Sequence, residues 1–231
     1  SLLLTNRTGA PVNISGYQIT SAFEGLNPAA WLSIAENADA DSGGTVDNVN
    51  VWTELTQADA HGDLSEGDLD SGDGATLGHT DTVNLGGAGA WIQNPNEDLV
   101  FQYISDGNVV VGIVDFEDAA PAAFADLNVD GNLDADDWNI LRSNQHVDLS
   151  DKSLAEAYRL GDLTGDLANN HPDFVAFKNA FDAANGAGAF VAMVGSIPEP
   201  FSFTLLAAGA LAALPTRRRN DGEINNSLHT T

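Results

Sequence analysis

DLNVDGNLDADDW, residues 126–138, decides how the carboxyl half of this chain is read. Oxygen-bearing side chains stand at positions one, three, five, nine and twelve of the run: Asp126, Asn128, Asp130, Asp134 and Asp137. Gly131 is sixth, where a chain curling round an ion must turn sharply, and Asn132, seventh, offers its backbone carbonyl. A hard cation takes several oxygens from one curled segment. The run therefore reads as a Ca2+ loop leading into a helix, with Leu133 pointing into a small core.

The pattern returns 36 residues later, since 162 − 126 and 173 − 137 both equal 36. In DLTGDLANNHPD the ligand positions fall to Asp162, Thr164, Asp166, Asn170 and Asp173. Leu167 stands where the first loop has its turn glycine, Asn169 replaces the apolar eighth residue, and Thr164 and Asn170 carry no charge. Fewer carboxylates and a non-glycine turn predict weaker affinity, so one tight site and one weak or empty site are expected. Each loop feeds an amphipathic helix. Trp138 and Leu141 follow the first, and Phe174, Phe177 and Phe181 follow the second at three- and four-residue spacing. Neither half can bury its face alone, which predicts packing about a pseudo-twofold axis.

Paired loops ending in Asp, without a helix before the first, resemble type I dockerin modules over about residues 124–185. The resemblance implies a middle helix within LSDKSLAEAYRLG, residues 149–161, and a docked cohesin-like partner. It also implies recognition through loop positions ten and eleven, here Ala135 and Asp136 in the first repeat and His171 and Pro172 in the second. Because the two pairs differ, symmetric two-way docking is not expected.

The 231 residues include 8 basic and 34 acidic ones, a formal charge of −26 that argues against nucleic acid and anionic membranes as partners. Absence of cysteine removes disulfides, thiolate metal sites and thiol catalysis. Abundant Asp, Gly, Asn and Thr suit a loop-rich extracellular β-protein, with calcium in the role of a staple. The chain begins inside a strand-like stretch, which suggests a piece of a longer protein whose export signal lies upstream.

Residues 1–118 read as an antiparallel β-sandwich, Ig-like or jelly-roll. LLLTNRTGAPVNISGYQITS alternates about Thr8-Gly9 as a hairpin would, VNVWTEL lies in a second β block, and AGAWIQ, EDLVFQYIS and NVVVGIVDFE are the clearest strands, the last two joined at Asp106-Gly107. NRTGAPVNISGYQITS distantly resembles lamin-tail-type β-sandwiches and, more specifically, β-domains preceding dockerin-like repeats in planctomycete-type surface proteins. Trp31, Trp52 and Trp91 are candidates for a polysaccharide-stacking face, with core packing the plainer reading. Asp63, Glu66, Asp68, Asp70 and Asp73 are an irregular acidic group, read as a solvated loop rather than another metal site. No GxSxG, HExxH or phosphate-cradling loop is present, so the chain reads as a non-enzyme. The rival is a polysaccharide-degrading hydrolase whose catalytic part lies elsewhere; a second is a purely structural surface-matrix protein.

The carboxyl end has three parts: a small-residue linker over 186–197, Pro198-Glu199-Pro200, and the uncharged FSFTLLAAGALAAL closed by Arg217, Arg218 and Arg219. Those 14 apolar residues span about 21 Å as a helix, short of the roughly 30 Å hydrocarbon core of a bilayer. Triple arginine favours the cytoplasmic side. This order resembles the PEP-CTERM sorting signal over 198–219, which implies a transient transmembrane helix, exosortase processing and delivery to the cell surface. Residues 220–231 depart from that pattern as an added tail, read as disordered. The division expected is thus a β-sandwich (1–118), a dockerin-like module (119–185), a linker and a sorting tail.

Overall fold

The computed structural model describes residues 1–57, 60–116 and 121–196. It is a mixed β and α structure in which the described strands pair antiparallel and precede the longer helices. β1 (Leu2–Thr5) pairs with β7 (Thr82–Gly86), and β2 (Val12–Ile14) with β6 (Ala75–Leu77). β4 (Thr53–Glu54), β5 (Asp63–Gly67), β3 (Gly16–Ser21), β8 (Leu99–Ser105) and β9 (Asn108–Val111) form a five-stranded sheet in that order. Alternation along β3 buries Tyr17 and Ile19 and exposes Gln18. The register places Ile19 between Leu64 and Phe101, and Tyr17 between Glu66 and Tyr103. Leu26, Ile34, Trp52, Leu64 and Leu85 complete this core.

Three strand expectations are corrected. β1 and β2 do not form a hairpin about Thr8-Gly9; each pairs with a different distant strand. Asn6 explains the divergence, because its buried amide spans the corner: Nδ2 donates to the carbonyls of Ala10, Leu77 and Gly78, and Oδ1 accepts from the Thr8 N–H. AGAWIQ is a turn with a single bridge, Trp91 to Leu26, rather than a strand. The acidic stretch read as a solvated loop instead supplies β5, with β6 close behind. The hairpin at Asp106-Gly107 is present, both residues at positive φ (49° and 70°) as a tight two-residue turn requires.

Beyond the strands, α1 (Ile34–Asn37) is a single turn. α2 (Ala135–Ser143), α3 (Leu154–Arg159) and α4 (His171–Asn185) follow; capping boxes open the first two, Asp134 with Asp137 and Ser153 with Glu156, while at α4 Asp173 accepts from the Asn170 N–H and the Asn170 side chain makes no cap bond. The stretch read as a spacer carries a further helix, α5 (Ala189–Ser196). Trp138 on α2 meets Phe174 and Phe177 on α4 and Phe190, with ring centroids 6.0, 6.0 and 5.1 Å away. Trp138 and Phe174 are mates under the 36-residue offset, so the repeats touch through equivalent residues.

The chain divides into two compact units, Ser1–Phe190 and a second from Val191 onward. Within the first, α3 packs on the β layer. Glu24 caps its start by accepting from Leu154 N–H at 3.1 Å, Phe23 meets Tyr158 edge-on at 6.1 Å, and Arg159 reaches the Gln93 carbonyl. Among the described residues no helix is long and apolar enough to cross a membrane. Pro198, Glu199, Pro200, Arg217, Arg218 and Arg219 lie outside the described residues.

Candidate metal centre

Each loop is built around two buried carboxylates, one at each end. In the first, Asp126 accepts from the Asp130 and Gly131 amides at 3.3 and 2.9 Å. Asp137 accepts from Leu127, Asn128 and Asp134 at 2.7, 3.2 and 2.9 Å. In the second, Asp162 accepts from Gly165, Asp166 and Leu167 at 2.7, 3.2 and 2.8 Å. Asp173 accepts from Leu163, Thr164 and Asn170 at 2.9, 2.9 and 2.8 Å. The offset of 36 thus holds for every bond but that of Gly165: Asp130 answers Asp166, Gly131 answers Leu167, Leu127 answers Leu163, Asn128 answers Thr164, and Asp134 answers Asn170. All four carboxylates are at most 1% exposed. Asp137 and Asp173 also sit in the first turns of α2 and α4, where the helix dipole favours negative charge.

Curling the chain this way needs left-handed backbone at three equivalent places. Ala125 and Gly161 precede the loops at φ 74° and 100°, Val129 and Gly165 stand fourth at 58° and 76°, and Gly131 and Leu167 stand sixth at 87° and 60°. Each loop has one glycine for the fourth and sixth places, and the loops assign it oppositely. The strain of Leu167 thus has a counterpart in Val129, since a side chain in this region costs roughly 1–2 kcal/mol. Gly161 has its own reason: a Cβ there would lie 2.5 Å from Asn169 Nδ2.

Asn169, where an apolar residue was expected, is fully buried. Its amide donates to the carbonyls of Leu141 and Leu160 at 2.8 and 2.9 Å, satisfying the ends of α2 and α3. Leu133 at the equivalent place is only half-buried. Spacing alone could not show that the polar residue is the more enclosed of the two.

The middles of the loops are alike at the fifth position and differ at the ninth, since Asp166 accepts from the Ala168 N–H at 3.1 Å and from Asn170 Nδ2 at 2.9 Å much as Asp130 is bonded. Asp130 is folded onto its neighbours, accepting from Asn128 Nδ2 at 2.9 Å and from Asn132 N and Nδ2 at 2.8 and 3.2 Å. These bonds, the Asn132 amide first, hold its carboxyl below the usual range. Asp134 is occupied as the cap of α2, accepting from Asp136 N–H at 2.8 Å. In the second loop Asp162, Asp166 and Asp173 each place a carboxylate oxygen within 4.8 Å of the others, two buried and one exposed. Asn170 Oδ1, at the ninth position, is buried with no hydrogen-bond partner. Thr164 Oγ1 donates to Asp173.

Three carboxylate oxygens within 4.8 Å of one another, in a loop whose ninth residue also keeps a buried oxygen unpartnered, are an arrangement a bound cation would complete, so the donors here fit a metal ion. The first loop carries the same strain as charge: burial, with the nearby Asp126 carboxylate adding to it, raises the pKa of Asp137. Ala135 is half-buried, while Asp136, His171 and Pro172 are exposed on the first turns of α2 and α4.

The acids of the β layer serve another end. Glu66 is 1% exposed and accepts from Ile34 and Ala35 N–H at 2.7 and 2.9 Å, and burial chiefly raises its pKa. Asp68 accepts from the amides of Asp70, Ser71 and Gly74 and from the Ser71 hydroxyl, and its pKa lies at about 2, the hydrogen bonds outweighing burial. Trp31 and Trp52 are core residues, Nε1 bonded to Tyr17 and Asp47, so the stacking face is not formed by them. Trp91 lies against Phe116 at 4.9 Å.

A comparison with protein-family models, with curated proteins and with solved structures finds no match for this chain.

Proposed function

We propose that residues 126–137 and 162–173 are two Ca2+ loops, and that calcium orders α2 and α4 as a docking surface on an exported protein. The observation that carries this reading is the clustering of the Asp162, Asp166 and Asp173 carboxylate oxygens within 4.8 Å of one another in the second loop, where Asn170 Oδ1 is also unpartnered. Oxygen-only donors on a flexible loop suit calcium, whereas magnesium demands tighter octahedral geometry and keeps more of its water. The chain supplies the rest. Asp126 and Asp162 tie the start of each loop to its sixth residue, while Asp137 and Asp173 tie the start to the following helix. Gathering oxygens at both ends of a loop couples ion binding to helix placement.

The surface beside the loops is Ala135, Asp136, His171 and Pro172, which we assign to recognition of a cohesin-like partner because of the dockerin resemblance. The same resemblance-based reading makes 198–219 a signal for exosortase processing and places the mature protein at the cell surface. The test is a calorimetric calcium titration of the full chain beside Asp130→Ala and Asp166→Ala, both exposed and harmless to the core. Two binding events are expected, with one lost in each variant. A wild-type chain giving no calcium heat would overturn the reading.

A further inference from the structure

The two loops differ in one neighbour. Arg159, on the last turn of α3, donates from Nη2 to the Asn128 carbonyl in the first loop at 3.2 Å and from Nη1 to the Gln93 carbonyl of the β layer at 3.4 Å. It is half-buried, so its guanidinium is pinned at two points and cannot swing freely into water. Its bond to the Asn128 carbonyl sets the cation against the first loop, two residues along the chain from Asp126; burial lowers its pKa, and the charges of Asp126 and Asp137 oppose that shift. Tyr158, one residue earlier, accepts from the Ala125 N–H at 2.8 Å and holds the entry to the same loop.

We propose that Arg159 is a built-in counter-cation of the first loop: it holds the loop's shape when no ion is bound and lowers the loop's affinity for calcium. The inference rests on the metal-site reading above and deepens it. In an ion-free loop two buried carboxylates repel one another, and a fixed positive charge beside them relieves that repulsion. A divalent ion entering the same loop meets that charge. In partly wet surroundings the repulsion from a unit charge held against the loop's own backbone amounts to about tenfold in affinity. The second loop gains no such charge from Arg159's two contacts, which go to Asn128 and Gln93.

The experiment titrates calcium chloride into the full chain by calorimetry, comparing wild type, Arg159→Met and Arg159→Lys. The first-loop event is identified by its loss in Asp130→Ala. Arg159→Met, which keeps the apolar stem without the charge, should tighten that event about tenfold and leave the other within about twofold; Arg159→Lys should stay within about threefold of wild type. In EDTA, Arg159→Met should melt below wild type, and saturating calcium should close the gap. Unchanged or weaker first-loop binding in Arg159→Met overturns the proposal, as does equal tightening in Arg159→Lys. Failure of Arg159→Met to fold even in saturating calcium overturns it too, because the ion should then replace the lost charge. A wild type that binds no calcium refutes the metal reading itself. A wild type that binds, beside an Arg159→Met of unaltered affinity, refutes only the counter-cation.

Discussion

The two loops share a frame and differ in what the frame leaves free. Asp126 and Asp137 repeat as Asp162 and Asp173 with most of the same amides as partners, yet among the described residues only the second loop brings three carboxylates within 4.8 Å of one another and leaves its ninth-position oxygen unpartnered. The fifth-position carboxylate is taken up locally in both loops, Asp130 by Asn128 and Asn132 and Asp166 by Ala168 and Asn170, so the difference lies at the ninth: Asp134 accepts from the Asp136 N–H, whereas Asn170 Oδ1 accepts nothing. Acid count therefore measures a loop's charge. Its readiness for an ion depends also on where its other hydrogen bonds go.

The largest test of this comparison removes a closing carboxylate. Asp173→Ala should cost about 3 kcal/mol in calcium-free denaturation, because it strands the buried amide of Leu163 and the part-buried ones of Thr164 and Asn170, and Asp137→Ala should cost a similar amount. A marked asymmetry between them would show that the shared frame is not shared in energy. Next, exchanging the fourth residues inverts the strain: Gly165→Val should destabilise by about 1–2 kcal/mol, and Val129→Gly should stabilise by about 1 kcal/mol, measured by urea unfolding.

Asn170→Asp sharpens the contrast at the ninth position by adding a carboxylate where the bare oxygen lies. Calcium affinity of the second loop should rise about tenfold in calorimetry, while the ion-free form melts slightly lower from the added like charge. The smallest effect contrasts both loops with the β layer, whose acids are satisfied without an ion. Asp68 has its pKa depressed from 3.8 to about 2, so its contribution is present above pH 4 and is lost as pH falls through about 2. Asp68→Asn should flatten that part of an acid-unfolding curve and leave calcium binding untouched.

The 36-residue repeat, the helices after each loop and the Asp106-Gly107 hairpin were legible because each is a local pattern with a local cause. The exchange of glycine between Val129/Gly165 and Gly131/Leu167 was hidden, since reading only the sixth position makes Leu167 look like a defect. Asn169 looked like a lost core residue because its partners, the Leu141 and Leu160 carbonyls, lie 28 and 9 residues away. β5 and β6 were missed because both are short, β5 holds Asp, Gly and Ser, and they gain their identity from non-local pairing with β3 and β2. The false hairpin at Thr8-Gly9 has the converse cause: alternation revealed strands and said nothing of their partners.

The central claim is that these carboxylates gather around a cation, and equilibrium dialysis of the chelator-stripped full chain against radioactive calcium tests it most directly. Close to two ions per chain should be retained, close to one in Asp130→Ala and in Asp166→Ala, with about 2.7 kcal/mol of added stability per site at a hundredfold excess over the dissociation constant. Retention of no calcium at millimolar concentration by a folded wild-type chain would contradict the account.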